Sequence, residues 1–136
     1  MTALIEISDV RKVYETGAVH HQALKGVSLD IAAGDYVVIM GHSGSGKSTL
    51  MHITGGLDSP TSGSVKVQEH HLDAMSETDL AKFRRKHIGF VFQFFNLIDN
   101  LTVRANVELP ALLANENKAE TRSRSETLLT QLGIGD

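Results

Sequence analysis

The sequence predicts an α/β fold in which a layer of antiparallel β-strands precedes a strand, a loop and a helix, and three observations lead to this prediction. Apolar residues recur in partial alternation over residues 4–13 and again over residues 23–31, which is typical of strands. Gly34 can supply a hairpin turn between the second stretch and the apolar run 36–40, which is expected to be a third strand. A glycine-rich loop and an apolar helical pattern follow that run directly.

The glycine-rich loop fits the phosphate-binding pattern G-x-x-x-x-G-K-S/T at every position. It consists of Gly41, His42, Ser43, Gly44, Ser45, Gly46, Lys47, Ser48 and Thr49. Glycines permit positive φ angles and close approach of the backbone, so successive N–H groups can converge on phosphate oxygens. The N-terminus of the following helix adds a partial positive charge. The loop is therefore predicted to bind the phosphates of a nucleoside triphosphate.

Two side chains of the loop are predicted to have distinct roles. Lys47 is expected to reach the β- and γ-phosphates, and the Ser48 hydroxyl to ligate Mg²⁺. The other predicted nucleotide-binding residues of the loop are Gly41, Ser43, Gly44, Ser45, Gly46 and Thr49. The alternative, a glycine-rich hairpin with a chance Lys-Ser pair, is disfavoured by the strand pattern before the loop and the helix pattern after it.

Length and charge limit the classes of function. The chain has 136 residues, the length of one domain, and no cysteine, so it has neither a disulfide framework nor a thiolate metal site. Its net charge of −3 provides no polybasic field for nucleic acid or for an anionic membrane surface. No apolar run approaches the ~18 residues of a membrane span. A role at a membrane would therefore require a partner protein.

Further elements are predicted along the rest of the chain. The helix that begins at Lys47 is expected to end at Gly55-Gly56, and residues 60–63 to turn into a strand over residues 64–68. Asp58 is interpreted as a turn residue. The later elements are a helix from the capping box 76–79 through Lys86, a strand over 88–92, a helix that Thr102 caps and Pro110 bends or interrupts, and an amphipathic helix over 119–132 capped by Gly133.

The seven histidines suggest a metal site, but their spacing disfavours one. His20-His21 and His70-His71 are adjacent pairs near predicted turns, and neighbours on a strand point to opposite faces. No pair of histidines at i and i+4 on a helix lies near a carboxylate. These histidines are therefore expected on the surface or in turns.

Four segments in register carry a resemblance to a known family. They are residues 23–29 (ALKGVSL), 41–50 (GHSGSGKSTL), 57–63 (LDSPTSG) and 88–103 (IGFVFQFFNLIDNLTV). Together they resemble the ATP-binding subunits of ABC transporters, and most of all the lipoprotein-releasing and macrolide-export group. The resemblance implies an α/β P-loop NTPase fold of the ABC type, with an antiparallel β layer, a partial parallel-sheet core and the start of a helical subdomain. It also implies ATP and Mg²⁺ as cofactors.

The resemblance assigns roles to residues outside the phosphate loop. Tyr14 would stack on adenine, a role that a phenylalanine should fill equally well, although a packing aromatic at a strand end is the alternative. Gln93 would sense the attacking water and Mg²⁺, with a solvated loop amide as the alternative. The loop from Phe94 to Ile98 would contact a transmembrane permease subunit. The family further implies a dimer of ATP-binding subunits, located in the cytoplasm on the inner face of the plasma membrane.

The sequence departs from the family pattern in three places. His42 stands where this group usually has proline, and Ala105 replaces a common glutamate. Residues 133–136 come before the family's signature loop, catalytic glutamate and switch histidine, so residues 1–136 are expected to be a single, C-terminally incomplete domain. The expected function is that of the ATP-binding component of an ABC transporter, whose complete form couples hydrolysis to export or to lipid or lipoprotein extraction. The alternatives are a non-catalytic nucleotide-binding module and a P-loop small-molecule kinase.

Overall fold

The computed structural model of the chain describes residues 3–135, apart from the side chain of residue 16. Contacts divide the chain into two compact units, one that ends at Ala81 and one that begins at Lys82. Among the described residues, no helix has the length and apolarity that crossing a bilayer requires.

The first unit contains one antiparallel sheet of four strands in the order β2-β1-β3-β4. The strands are β1 (Ala3–Thr16), β2 (Val19–Ala32), β3 (Ser62–Val67) and β4 (His70–His71). The alternation of apolar residues correctly predicted β1 and β2, which form a long hairpin through Gly17 at a φ angle of 61°. β3 begins two residues before the predicted boundary.

Helix α1 (Lys47–Thr54) packs against this sheet through Leu50 and Ile53, which lie three residues apart on one face. The core that they join consists of Ile7, Val10, Leu24, Val65, Val67, Leu72 and Leu80. The helix ends where Gly55 donates its N–H to the Met51 carbonyl at 2.9 Å, as predicted. Because α1 is anchored on the sheet, its N-terminus and the loop before it are held beside the β1–β2 hairpin.

Helix α2 (Glu77–His87) begins at the predicted capping box and crosses the boundary between the units. A single 3₁₀ turn, Leu72–Ala74, precedes it. The Ser76 Oγ accepts the N–H of Asp79 at 3.2 Å, which satisfies one of the free donors of the first helical turn. The sequence therefore correctly located the start of this helix.

The second unit contains a pair of helices, α3 (Val103–Leu113) and α4 (Lys118–Gln131). The Thr102 hydroxyl caps α3 by accepting the N–H of Ala105 at 3.1 Å, as predicted. Pro110 lies inside α3, and the helix continues for three residues beyond it rather than being interrupted. The buried positions of α4 are Thr121, Ser125 and Leu129, so its inward face has helical spacing but carries two hydroxyls. The Ser125 hydroxyl is satisfied by Glu108 Oε1 of α3 at 2.8 Å.

Two predicted strands are absent, so this part of the prediction was wrong. Residues 36–40 and 88–92 belong to no helix or strand, and the side chains of Tyr36 and Met40 are 93% and 84% exposed. Apolar runs of this kind are typical of strands buried on both faces, but a strand also needs neighbours for its N–H and C=O groups. Neither run has such a neighbour among residues 3–135. The only sheet of the described residues is therefore antiparallel, without the expected parallel core.

Candidate nucleotide-binding site

The phosphate loop and Tyr14 line one cavity of about 270 Å³ in the first unit. The β1–β2 hairpin forms one wall, and the loop with the start of α1 forms the other. The lining residues are Tyr14, His21, Ala23, Ser43, Gly44, Gly46, Lys47, Ser48 and Thr49. Most of the predicted site residues are therefore together, although Tyr14 and Lys47 are 33 positions apart in the sequence. Ser45 lines a neighbouring cavity of about 420 Å³ that also includes His21 and Gly44.

The backbone of the loop requires glycine at two of these positions. Gly44 and Gly46 have φ angles of 77° and 90°, in the left-handed region that other residues rarely adopt. A Cβ atom on Gly46 would also lie 2.6 Å from the backbone oxygen of Ala23 on β2. The absence of a side chain at Gly46 therefore lets the start of α1 approach the hairpin closely enough to form the cavity.

The Lys47 ammonium is held at the loop by main-chain oxygens. Its Nζ donates to the carbonyl oxygens of Gly41 at 2.9 Å and His42 at 2.6 Å, and it lies 3.4 Å from the Ser45 Oγ. The positive charge therefore stands beside the positive end of the α1 dipole. His42, one of the departures from the family pattern, contributes its backbone oxygen to this arrangement and exposes its side chain.

The Tyr14 ring lies at the edge of the cavity and is 38% exposed, so it is not a core aromatic. Its cross-strand partner is His21, which lines the same cavity. The ammonium of Lys12 lies over the ring, 5.0 Å from the centroid, which is within the range of a cation–π contact. The hydroxyl donates a hydrogen bond to Asp58 Oδ2 at 2.9 Å. Stacking on a base would need only the ring of Tyr14, so the hydrogen bond of its hydroxyl is an additional interaction.

Asp58 was interpreted from the sequence only as a turn residue, but in the structure it also contacts two side chains of β1. It does accept the N–H of Ser59 at 2.8 Å, as a turn residue would. However, it also binds the Lys12 ammonium at 2.6 Å, and the two side chains are 29% and 13% exposed. Both partners on β1 are more than forty residues away, so no local pattern could have indicated these contacts.

The environment of Asp58 shifts its protonation equilibrium. Partial burial acts to raise the pKa of the carboxyl, but hydrogen bonds from Lys12, Tyr14 and Ser59, together with the charge of Lys12, outweigh it and lower the pKa below the ordinary value of 3.8. A lowered pKa means that the folded state favours the charged carboxylate. This contribution to stability is fully present above the pKa of an unfolded aspartate and is lost as the pH falls through the lowered value.

Gln93 lies in the second unit, exposed in a segment outside the helices and strands. Its role in sensing Mg²⁺ and water therefore stays a prediction. After it come Phe94 and Phe95, whose side chains are also exposed.

The end of this segment is fixed to α3 by Asn106. Its Oδ1 accepts the N–H of Ile98 at 2.8 Å, and its Nδ2 donates to the carbonyls of Ile98 and Thr102 at 3.2 and 3.1 Å. A mostly apolar cavity of about 380 Å³ adjoins it, lined by Leu97, Ile98, Asp99, Leu101, Val103, Asn106 and Val107. Ala105, the other departure from the family pattern, lies in the first turn of α3, directly before Asn106.

Comparison with known proteins decides the family. The model of the family described as "ABC transporter" matches residues 24–136. The chain belongs to the ABC transporter family. An uncharacterized ABC transporter ATP-binding protein of Thermotoga maritima is 46% identical over the whole chain, which covers 58% of that protein. A macrolide export ATP-binding/permease protein, MacB 1 of Yersinia pestis, is also 46% identical, and the chain covers 21% of it.

A solved structure shows the same fold. It is a dimeric post-hydrolysis state of the ATP-binding cassette MJ0796 bound to ADP and Pi, with a TM-score of 0.84 and 43% identity. The likeness covers 93% of this chain and 56% of the solved one. The resemblance and the ABC-type fold predicted from the sequence are thus confirmed, and the chain corresponds to the ATP-binding component of these transporters. It spans little more than half the length of these cassettes, so the activity and partners of a whole protein are matters for proposal.

Proposed function

We propose that the chain binds MgATP in the cavity between Tyr14 and the phosphate loop, as the nucleotide-binding part of an ABC transporter. In the complete protein, hydrolysis would drive export or the extraction of lipids or lipoproteins from a membrane. The observation that carries the proposal is the shared cavity, since a ring suited to a base and a loop suited to phosphates line the same space. A small-molecule kinase, the alternative from the sequence, receives no support from the relatives.

The phosphate part of the site rests on charge and on backbone geometry. Lys47 brings a full positive charge to the wall of the cavity, and the start of α1 adds the partial charge of its dipole. Both favour an anion. The carbonyls that now accept hydrogen bonds from Lys47 are neutral, so a γ-phosphate would be a stronger partner for the ammonium. Lys47 can therefore reach a nucleotide by exchanging these bonds.

The residues present also fit a magnesium ion. Mg²⁺ is usually held by one or two protein oxygens together with substrate phosphates and water, not by a cage of carboxylates. Among the described residues, no group of three or more His, Cys, Asp or Glu could hold a metal, whereas Ser48, which carries a hydroxyl, is one of the residues that line the cavity. Ser48 would hold the ion, which supplies charge neutralisation at the phosphates. Gln93 is the second proposed ligand, by its resemblance to the family.

The second unit supplies the proposed contact with a permease. Phe94 and Phe95 expose 77% and 88% of their side chains, and the apolar cavity beside Asn106 adjoins the same loop. Such a surface suits a short amphipathic helix of a membrane partner. The ATP-binding subunits would act as a dimer at the inner face of the plasma membrane, held there by the permease.

The test of the proposed function is the magnesium dependence of ATP binding. Titration calorimetry with ATP should show tighter binding with Mg²⁺ than with EDTA, and Ser48→Ala should remove most of this difference because it removes the protein ligand of the ion. Ser123→Ala makes the same change on the exposed face of α4 and should keep the wild-type difference. Equal affinity of the wild-type chain with and without Mg²⁺ would contradict the proposal.

A further inference from the structure

We propose that Asp58 is a positioning residue that orients the Tyr14 ring for a nucleotide base and sets its distance from the phosphate loop. The inference rests on the proposed function, because it concerns the base end of the same cavity. Asp58 itself is not among the residues that line the cavity, so it would act through Tyr14 and Lys12.

Both oxygens of the Asp58 carboxylate are engaged. Oδ1 accepts hydrogen bonds from Lys12 Nζ at 2.6 Å and from the N–H of Ser59 at 2.8 Å. Oδ2 accepts the Tyr14 hydroxyl at 2.9 Å. Lys12 is anchored in turn by the carbonyl oxygen of Ser59 at 2.7 Å. The carboxylate is thus fixed by three donors, and it fixes two side chains of β1.

Tyr14 needs such a restraint because packing alone does not fix its ring. The ring is partly exposed near the end of the β1–β2 hairpin, and the χ2 torsion of an aromatic side chain has a broad energy well. The hydrogen bond to Asp58 ties the far end of the ring to the protein. The Lys12 ammonium lies over one face of the ring, so a base would stack on the opposite face. A ring that is already oriented loses less conformational freedom when a base stacks on it.

The same residue connects the two halves of the site. Asp58 follows α1, the helix whose N-terminus carries the phosphate loop, and the backbone N–H groups of Leu57 and Asp58 bond to the His52 carbonyl at 2.8 and 3.3 Å. Its side chain binds the strand that carries Tyr14. The spacing between the base end and the phosphate end of the cavity is therefore set in part through Asp58.

The test compares ATP with inorganic triphosphate, which shares the phosphates and lacks the base. Asp58→Asn should lower the affinity for MgATP by about fivefold, a part of what stacking on an aromatic ring provides, and should leave the affinity for magnesium triphosphate unchanged. The quantity to compare is the ratio of the affinity for MgATP to the affinity for magnesium triphosphate. Tyr14→Phe keeps the ring and loses only the hydroxyl, so it should also lower this ratio, contrary to what stacking alone predicts. The double variant should resemble the single ones, because both remove one interaction.

A control variant and Tyr14→Ala distinguish an error in the role of Asp58 from an error in the proposed function. Asp30→Asn makes the same chemical change at an exposed position of β2 and should keep the wild-type ratio. An Asp58→Asn variant that loses ATP and triphosphate equally would overturn the positioning role, since the residue would then only support the fold. If Tyr14→Ala lowers the ratio while Asp58→Asn and Tyr14→Phe do not, the role of Asp58 is wrong and the proposed function stands. If Tyr14→Ala also leaves the ratio unchanged, the base contact and the role of Asp58 both fail.

Discussion

Replacing Lys47 with alanine is expected to remove a large share of the affinity that ATP gains from its phosphates. The ammonium is the one full positive charge on the wall of the cavity formed by the described residues. A charge-assisted hydrogen bond to phosphate contributes about 1.5–3 kcal/mol, so the loss in affinity should be about tenfold to a hundredfold. Titration calorimetry with MgATP and with magnesium triphosphate measures this loss, and both ligands should be affected.

A matched control is available for this variant. Lys118→Ala removes the same charge at the exposed start of α4 and should leave the affinity for both ligands unchanged. The Lys47→Ala variant should remain folded, because the ammonium bonds only to oxygens of its own loop. Wild-type affinity in the Lys47→Ala variant would show that the glycine-rich loop is not a phosphate site.

The second large effect concerns turnover and stability of the 136-residue chain. We expect it to release phosphate from ATP no faster than its Lys47→Ala variant. Phosphoryl transfer to water needs a residue that orients the water, and the lining of the described cavity contains no carboxylate that could do so. Phosphate release, measured under saturating MgATP for both proteins, tests this expectation.

The same chain should be only marginally stable. Residues 36–40 and 88–92 expose apolar side chains and have backbone groups without ladder partners among the described residues. Losing a few kcal/mol is serious for a domain whose stability is ~5–15 kcal/mol, and exposed apolar segments favour association. Amide hydrogen exchange should therefore be fast in both segments and slow around Val10 and Leu24, the buried positions of the hairpin. A soluble monomer that unfolds cooperatively and hydrolyses ATP in a Lys47-dependent manner would contradict both expectations.

The parts of the fold that the sequence predicted well are those that local pattern determines. The alternation in β1 and β2 can be recognised within each strand, and the glycines at the end of α1 and the caps Ser76 and Thr102 each act within a few residues. The phosphate loop is equally local, since its φ angles and its lysine contacts involve neighbours in the chain. For these elements the local pattern was enough to identify the type of structure.

The parts that the sequence did not predict depend on distant partners. Apolar pattern identified residues 36–40 as a strand, but a strand forms only where a neighbour accepts its hydrogen bonds. The contacts of Asp58 with Lys12 and Tyr14 join segments that are 46 and 44 residues apart. The buried hydroxyl of Ser125 is satisfied by Glu108 on another helix, so α4 can bury a face that composition alone would place in water.

Tyr14 and the phosphate loop are proposed to form one nucleotide site, and photolabelling with 8-azido-ATP tests this most directly. The photoreactive group is on the base, so irradiation in the presence of Mg²⁺ should label the hairpin peptide that contains Tyr14 and His21. Excess ATP should suppress the labelling, and so should inorganic triphosphate, because it competes for the loop. Labelling confined to other peptides, or labelling of the hairpin that triphosphate does not displace, would contradict the account.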